Sequence, residues 1–429
     1  MSHKSFYQNM GWQYALQALK YLFPFILVGY LTRALGPDTY AVYAYVLSFM
    51  GIMQTIADFG FTLSGTKKIA ERKNDVREMS HLVGAITSAR IILIILLFIA
   101  TCIIAQFIPI LSDNMVYVVI AYFSVCLRAL LPDFVFQGLE KMGPLTTRYF
   151  VARGASVLLT LIFVHSAADL LFVAFADLIG CAVGLVWSFI ASKKLFGVGL
   201  AWATARESLI ELKDSAIYCI SNVSSSLFSG FTTIIIGLAL TNNADISYWS
   251  LALTTISAVQ ALYSPVSNSL YPHMINSPDY KFAKKLALIA LPILAVGTLL
   301  YCVLSEPIML ILGGSDYLDG AEVMVMLSPV LPLSFYAVFV GWPILGACGY
   351  VKKLTLTTVL TGVVNVALML LLYLTGAATL VSLCIARCAV EAFLLSSRAL
   401  ALVSVFRGGP KPGSRQSSGE KTREVAERL

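Results

Sequence analysis

Hydrophobic residues recur in long runs along almost the whole chain, and short polar or Gly/Pro-rich breaks separate the runs. Most runs reach the roughly 20 residues that a helix needs to cross a bilayer core of about 30 Å. This pattern predicts about twelve transmembrane helices. They lie near residues 12–34, 40–65, 80–109, 114–139, 145–166, 169–192, 214–241, 245–271, 285–304, 322–346, 354–375 and 377–405.

The composition agrees with an all-α integral membrane protein. Hydrophobic residues make up 58% of the chain and charged residues 12%, against roughly 25% charged residues in soluble domains. The eight cysteines fall in apolar segments without the spacing of a zinc site, so no metal is expected. The chain has no phosphate-binding loop and no Ser/His/Asp constellation, and its loops are too short for a catalytic domain. We therefore expect neither an enzyme nor a protein that binds nucleic acid.

Lysine and arginine are distributed unequally between the loops on the two sides of the membrane. The even number of helices predicts that both termini lie on one side, and the loops of that side are rich in basic residues. These residues are Lys67, Lys68, Arg72, Lys73, Arg77, Lys141, Arg148, Lys193, Lys194, Arg206, Lys213, Lys281, Lys284, Lys285, Lys352 and Lys353. The opposite loops hold only Arg33, so we predict that both termini are cytoplasmic.

A longer polar interruption after the sixth predicted helix divides the chain into two halves. We predict an N-terminal lobe over 1–195, a cytoplasmic inter-lobe loop over 196–213 and a C-terminal lobe over 214–405. Residues 406–429 are polar and basic, which predicts a disordered cytoplasmic tail.

Two further features concern the shape of the predicted helices. Gly180 and Gly184, four apart in the sixth helix, predict close helix packing inside the fold. Prolines within the predicted helices favour kinks, which suit a cavity that opens alternately on two sides. They are Pro24, Pro132, Pro265, Pro292, Pro329, Pro332 and Pro343.

Ionisable residues inside the first six predicted helices are the strongest functional signal. They are Lys20, Asp58, Arg90, Arg128, Asp133, Arg153 and Asp177. A charge at the bilayer centre costs roughly 2.5 to 3.5 kcal/mol, so these side chains must face an aqueous cavity or one another. The four basic residues lie at similar depth on four helices and are therefore expected to line one cavity. Because the planar guanidinium suits phosphate, this cavity is expected to bind an anionic substrate.

Two alternatives remain for these charges. The basic residues could pair with Asp58, Asp133 and Asp177 as structural ion pairs, although one cation would then be in excess. The carboxylates, Asp177 above all, could instead carry a proton or a sodium ion during a transport cycle. No other cofactor is expected. In the second half, Arg387 and Glu391 are four apart on one helix and are expected to neutralise each other.

Three stretches resemble the oligosaccharide flippases of bacterial surface polysaccharide synthesis, often called the Wzx type. The first stretch is Leu35-Gly36-Pro37-Asp38-Thr39-Tyr40 followed by Ala57-Asp58-Phe59-Gly60-Phe61. The second is Leu131-Pro132-Asp133-Phe134-Val135-Phe136-Gln137-Gly138-Leu139-Glu140-Lys141-Met142, and the third is Leu270-Tyr271-Pro272 with an elbow at 305–322. Ala41 and Phe134 depart from the usual glycine and tryptophan of the family, which puts local packing in doubt. The wider superfamily includes multidrug and toxin extruders and the lipid II flippase.

The resemblance implies two pseudo-symmetric six-helix lobes around a central cavity. Such a protein moves an undecaprenyl-pyrophosphate-linked oligosaccharide across the bacterial inner membrane by alternating access. The diphosphate is expected to lie against Lys20, Arg90, Arg128 and Arg153, and the lipid tail to stay in the bilayer. A polysaccharide polymerase and a chain-length regulator are the protein partners that the resemblance implies.

Competing functions require features that the sequence lacks. A drug/cation antiporter of the same superfamily needs an anionic or apolar cavity, whereas the first half has a cation excess. A membrane-embedded glycan polymerase or acyl transferase generally needs a large outer loop, and the outer loops here are short. A structural scaffold would not need seven charges at membrane depth.

Overall fold

The fold is described from a computed structural model of residues 3–408, apart from 241, 264–265, 268–269, 272–273, 275–278 and 348. Side chains are described for these residues except at 3–10, 205, 217–218, 220–231 and 406–408. The predicted tail from residue 409 onward, the predicted kink at Pro265 and Pro272 of the third stretch lie outside the described residues. All regular elements among the described residues are helical, which confirms the all-α prediction.

Ten helices are described in the part of the chain up to Ala261. They are α1 (His3–Asp58), α2 (Phe61–Glu71), α3 (Val76–Phe107), α4 (Pro109–Ser112), α5 (Met115–Ala129), α6 (Asp133–Gly138), α7 (Met142–Phe163), α8 (Leu170–Phe196), α9 (Ala205–Ala239) and α10 (Asn243–Ala261). A short 3₁₀ turn at Ala167–Asp169 precedes α8.

The described residues after Asp279 add six α-helices. They are α11 (Tyr280–Val303), α12 (Ser305–Leu312), α13 (Gly320–Leu327), α14 (Val330–Phe339), α15 (Val351–Leu374) and α16 (Leu380–Gly408). A 3₁₀ turn at Ser315–Tyr317 follows α12, so the predicted elbow is a short helix and a turn. A π-helical segment, Val340–Gly346, continues α14.

Eight helical stretches among the described residues are long and apolar enough to cross a membrane. The first, Gly11–Glu71, has 61 residues and would extend about 90 Å, roughly three times the thickness of a bilayer core. This stretch therefore holds more than one crossing. The prediction of a multi-pass membrane protein is confirmed, whereas the number of about twelve crossings stays a prediction.

The first long helical stretch is interrupted at Gly36, between the first two predicted segments. Gly36 has φ 70° and ψ 170°, and Pro37 follows it. The positive φ suits glycine, and proline removes a backbone donor from the next turn. A second break follows Asp58, where Phe59 (φ 48°) and Gly60 (φ 77°) both adopt positive φ and α2 begins at Phe61.

The outward surface of several helices carries large apolar side chains. On α3, Ile95, Leu96, Ile99, Ile103 and Phe107 are each more than half exposed. Because the bilayer supplies an apolar solvent, such a surface is stable when lipid covers it. These exposed residues agree with the predicted crossings.

The described chain divides into two compact units. The first comprises the residues up to Leu251 together with Glu306–Ala321 and Tyr373–Thr379, and the second comprises Ala252–Ser305, Glu322–Leu372 and the residues from Leu380 onward. The predicted lobe boundaries at 195 and 214 stay a prediction.

Each unit has its own apolar core. Phe61, Ile86 and Phe134 are fully buried in the core of the first unit, and Phe335 and Phe339 contribute to the core of the second.

Two of the resembling stretches meet in the first unit. Tyr40 is buried beside Tyr317 of the 305–322 elbow, with ring centroids 6.1 Å apart in an edge-to-face arrangement. Arg33 donates from Nη2 to the carbonyl oxygen of Ile311, 2.7 Å away. Ala41, which replaces the usual glycine of the family, is fully buried here.

Candidate functional site

A cavity of about 610 Å³ lies within the first unit, a volume typical of ligand sites. All seven charged residues that the sequence predicted at membrane depth line this cavity. They are Lys20, Asp58, Arg90, Arg128, Asp133, Arg153 and Asp177. The four basic residues that the sequence assigned to one cavity are thus all among its lining residues, and their role in substrate binding stays a prediction.

Arg148 also lines the cavity, and its sequence assignment to a cytoplasmic loop is wrong. The residue lies in the second turn of α7, and its side chain is 8% exposed. The predicted fifth helix already began at residue 145, so Arg148 belonged to the membrane segment. With Arg148 included, five basic and three acidic residues line the cavity, which gives a formal excess of two positive charges.

Arg90 is the most enclosed of the charged residues, with 3% of its side chain exposed. Its Nη2 donates to Asp58 Oδ1 at 2.9 Å, and its Nη1 donates to the carbonyl oxygen of Leu131 at 2.9 Å. The rings of Phe61 and Phe134 each lie 5.5 Å from the guanidinium carbon. Cation–π contacts and hydrogen bonds together compensate the loss of water around this charge.

The first two of the three stretches that resemble the flippases surround Arg90. In the first, the break at Phe59 and Gly60 brings the Asp58 carboxylate and the Phe61 ring to the same guanidinium. In the second, Pro132 separates α5 from α6 and leaves the carbonyl of Leu131 outside a regular helix, where it accepts from Arg90. Phe134 stands where the family usually has tryptophan and still packs on the charge.

Arg148 and Asp133 form a second ion pair, 3.0 Å between Nη2 and Oδ2. Asp133 lies in the first turn of α6, where the helix dipole favours a negative charge. Two atoms of this pair, Asp133 Oδ1 and Arg148 Nε, are buried without a hydrogen-bond partner among the described residues. The pair therefore retains hydrogen-bonding capacity.

Arg128 and Arg153 share one carboxylate. Arg153 Nη1 lies 2.6 Å from Asp177 Oδ1, and Arg128 Nη2 lies 3.4 Å from Asp177 Oδ2. The Arg128 and Arg153 side chains are 32% and 19% exposed, so both are far more accessible than Arg90. This cluster, Arg128–Asp177–Arg153, carries one net positive charge.

Glycines bring the helices of this cluster together. A Cβ added at Gly180 would lie 2.5 Å from the carbonyl oxygen of Ala152, and one at Gly184 would lie 3.0 Å from the Ala152 Cβ. Only a residue without a side chain lets α8 approach α7 this closely. The predicted packing role of Gly180 and Gly184 is confirmed, and it places Asp177 beside Arg153.

Lys20 completes the set of cavity cations from α1. Its side chain is exposed, and no carboxylate among the described residues pairs with it. Uncharged polar residues, including Gln54 and Gln137, also line the cavity. The alternative of structural ion pairs is met in part, because Arg90 pairs with Asp58, and Arg128 and Arg153 share Asp177. Asp133 pairs with Arg148, which that alternative did not include. Lys20 and the shared carboxylate leave positive charge uncompensated.

In the second unit, Arg387 and Glu391 form the predicted ion pair, 2.7 Å between Nη2 and Oε1. Arg398, which the sequence pattern did not single out, lies within the last predicted helix and lines a smaller cavity with this pair. Its side chain donates to the carbonyl oxygen of Ala337 at 2.6 Å. Arg398 lies close to the end of the helix, which made its depth harder to judge.

Known proteins of polysaccharide biosynthesis and transport match most of the chain. A family model described as "Polysaccharide biosynthesis protein" matches residues 6–277. A relative named "Putative O-antigen transporter", from Escherichia coli (strain K12), is 26% identical over 350 residues, which cover 76% of this chain and 79% of the relative.

Solved structures agree on the fold. The lipid II flippase MurJ in an inward closed conformation matches with a TM-score of 0.72 and 12% identity, over 92% of this chain and 87% of that chain. An inward-facing multidrug resistance MATE family transporter of the MOP superfamily matches with a TM-score of 0.68 and 14% identity, over 94% and 95% of the two chains. At these identities the likeness concerns the fold alone.

Proposed function

Because this chain belongs to the polysaccharide biosynthesis protein family, we propose that it moves lipid-linked oligosaccharides of a surface polysaccharide across the bacterial inner membrane. The observation that carries the proposal is the Arg128–Asp177–Arg153 cluster, in which two guanidiniums share a single carboxylate at the wall of a polar cavity. The chain is a membrane transporter and not an enzyme. Its predicted resemblance to the Wzx-type flippases is confirmed by the family match and the named relative.

The diphosphate of an undecaprenyl-pyrophosphate-linked unit fits the charge of this cavity. Arg128 and Arg153 are accessible and lack full compensation, and Lys20 adds a further cation. Guanidinium forks donate paired hydrogen bonds to phosphate oxygens, and these bonds are strong where water is scarce. Arg90, enclosed by Asp58 and two aromatic rings, would contribute its charge from behind Asp58.

The oligosaccharide would occupy the polar part of the cavity, and the lipid tail would stay in the bilayer. Uncharged hydrogen-bonding residues such as Gln54, Gln137 and Tyr149 line the same space and suit sugar hydroxyls. Alternating access between two lobes would then expose the cavity to one side of the membrane at a time.

Asp177 is also the residue we propose for ion coupling. A diphosphate that binds Arg128 and Arg153 would compete with Asp177 for the same donors. The displaced carboxylate could then carry a proton or a sodium ion through the transport cycle. Asp58 and Asp133 are held by the more buried Arg90 and Arg148 and act as their counterions.

A drug/cation antiporter is the second candidate that the fold allows. Five basic and three acidic residues line the cavity of the first unit, so a cationic substrate would meet net repulsion. This excess favours an anionic substrate.

A polysaccharide polymerase and a chain-length regulator would act on the exported units beside this transporter. Both chain termini of the transporter would lie in the cytoplasm.

The proposal is tested by complementing a bacterial strain that makes a surface polysaccharide but lacks its flippase. Arg128→Ala and Arg153→Ala are expected to insert normally and to lose most of the surface polysaccharide that the wild type restores. Arg77→Ala is the matched control, because Arg77 is an exposed arginine outside the cavity. The amount of inserted protein is measured for every variant.

Binding of inorganic pyrophosphate to the purified protein supplies a second measurement. Arg128→Ala and Arg153→Ala should weaken this binding by roughly 10- to 100-fold each, as expected for charge-assisted hydrogen bonds. Normal export and normal pyrophosphate binding in both variants would contradict the proposed diphosphate site. Export of cationic drugs without any polysaccharide would favour the antiporter.

A further inference from the structure

The second unit contains its own polar cavity, of about 410 Å³. Its hydrogen-bonding and charged lining residues are Gln260, Tyr263, Ser267, Ser334, Arg387, Glu391 and Arg398. Burying polar groups in a membrane protein is costly, and such clusters mark sites of function.

Arg387 and Glu391 form an ion pair without net charge at the wall of this cavity. The two side chains are 15% and 7% exposed, and they meet at 2.7 Å across one turn of α16. A guanidinium beside a carboxylate offers hydrogen-bond donors and acceptors at neighbouring positions. A ligand with several hydroxyl groups can bind both at once, since each hydroxyl donates and accepts.

Arg398 adds an uncompensated positive charge. Its Nη1 donates to the Ala337 carbonyl oxygen at 2.6 Å, and its Nη2 lies 3.2 Å from Thr358 Oγ1. No described carboxylate lies within ion-pair distance of its guanidinium, and its buried Nε lacks a hydrogen-bond partner among the described residues. The orientation of Arg398 is therefore fixed by neutral groups. With two arginines and one glutamate, the lining of the cavity keeps one excess positive charge that attracts an anion.

The remaining polar groups are held in place by hydrogen bonds. Gln260 Nε2 donates to Ser334 Oγ at 2.9 Å, and Tyr263 donates its hydroxyl proton to the Leu331 carbonyl oxygen at 2.9 Å. Groups held this way lose little conformational freedom when a ligand binds. The cavity is thus pre-organised on both its charged and its uncharged sides.

We propose that this cavity binds a hydroxyl-bearing monoanion of about one sugar ring, that is, an acidic sugar. The single excess positive charge of the lining favours an anionic group on the ligand. The Arg387–Glu391 pair and Gln260 suit hydroxyl groups that donate and accept. The volume lies in the lower part of the roughly 300–1,000 Å³ range of ligand sites, which suits a small ligand.

All lining residues of this cavity belong to the second unit, so the acidic-sugar site does not depend on the diphosphate site of the first unit. Two sources could supply the same ligand chemistry. One is an acidic sugar within the transported glycan, which rests on the proposed function. The other is a free acidic sugar of the cell.

Isothermal titration of the full-length protein with glucuronate, glucose and acetate tests the site. Glucuronate carries both the anion and the hydroxyl groups, so it should bind at least roughly ten-fold more tightly than the other two. Gln260→Leu and Arg398→Gln should each weaken glucuronate binding by roughly 10- to 100-fold. Lys353→Ala removes a cation of the second unit outside the cavity and should leave the affinity unchanged.

Folding is monitored in parallel by thermal unfolding, because Arg398 also holds the Ala337 carbonyl beside the break at Gly341. Gln260→Leu leaves that contact intact and keeps the test decisive if Arg398→Gln does not fold. The proposal is overturned if glucose or acetate binds as tightly as glucuronate. It is equally overturned if folded Gln260→Leu protein binds glucuronate as the wild type does.

Complementation identifies the source of the ligand. One strain makes a repeat unit with a uronic acid, and a second makes a neutral unit. If Gln260→Leu lowers export of the acidic unit alone, the glycan supplies the ligand. If Gln260→Leu loses glucuronate binding and exports both units normally, the ligand is a free sugar. Arg153→Ala should keep glucuronate binding, so failure of the diphosphate site is distinguished from failure of this one.

Discussion

Arg153 reaches Asp177 across 2.6 Å from the neighbouring helix, and the second oxygen of the same carboxylate faces Arg128 at 3.4 Å. Two cations that share one anion remain attractive to a second anion, whereas two separate pairs would be electrically satisfied. This sharing distinguishes the cluster from the Arg90–Asp58 and Arg148–Asp133 pairs, in which one cation meets one anion.

Replacing Asp177 with asparagine should strengthen pyrophosphate binding. The variant removes the negative charge that competes for Arg128 and Arg153 and keeps a similar shape. We expect binding to tighten by roughly ten-fold, equivalent to about 1.4 kcal/mol. Titration of the purified protein with inorganic pyrophosphate measures it. Weaker binding in this variant, with normal folding, would show that Asp177 itself holds the ligand site in shape.

Replacing Arg90 with alanine should mainly destabilise the protein. The change leaves Asp58 without its ion-pair partner and empties the space between Phe61 and Phe134. Breaking such a buried pair typically costs about 3 to 5 kcal/mol. Thermal unfolding in detergent should show a large loss for Arg90→Ala and a small one for Arg128→Ala, whose side chain is 32% exposed. Equal losses would contradict this division between structural and accessible arginines.

Replacing Gly180 with alanine should separate α7 from α8. The added Cβ would lie 2.5 Å from the Ala152 carbonyl oxygen, a distance that forces the helices apart. Overpacking of this kind costs about 1 to 3 kcal/mol, although alanine favours helices over glycine by about 1 kcal/mol. Gly29→Ala is the matched control, because nothing lies within 4 Å of its added Cβ. Thermal unfolding should show a loss for Gly180→Ala alone, and similar values for both would contradict the close-packing role.

Acidification should loosen the start of α9. The Thr204 N–H donates to Glu207 Oε2 at 2.6 Å, and this bond, with that from the Thr204 hydroxyl, lowers the pKa of Glu207 from its ordinary value of 4.5. A carboxyl with a lowered folded-state pKa stabilises the helix start above pH 4.5, and this contribution is lost as the pH falls through the lower value. Hydrogen exchange of the first turn, corrected for intrinsic rates, measures the change. Glu207→Gln should abolish the pH dependence. If the exchange of this variant depends on pH as that of the wild type does, a group other than Glu207 is responsible.

The hydrophobic pattern predicted the architecture because bilayer thickness fixes the length of a helical run. It placed one boundary between residues 34 and 40, where Gly36 breaks α1. The prolines within the predicted helices indicated two further breaks, since Pro132 separates α5 from α6 and Pro343 lies in the π-helical segment Val340–Gly346. The sequence did not indicate the form of either break. Such breaks depend on tertiary hydrogen bonds, here those that Leu131 and Ala337 accept from Arg90 and Arg398.

The charges of the candidate site were predictable because their cost in lipid requires a common cavity. Their pairing was not, since it depends on the rotation of each helix about its axis. Arg148 was missed because it was counted with the basic residues of the preceding loop, although the fifth predicted helix already began at residue 145. The sharing of Asp177 between two arginines could not be inferred from spacing, because three different helices supply the cluster.

The ion pairs of the cavity differ in which partner, the acidic or the basic residue, is synthesised first. Asp58 and Asp133 precede Arg90 and Arg148 along the chain, so each of these arginines leaves the ribosome after its acidic partner. Asp177 is the reverse case, since Arg128 and Arg153 are both made before it. The Arg128–Asp177–Arg153 cluster can therefore form only after α8 has been synthesised, the last of the three helices that supply it.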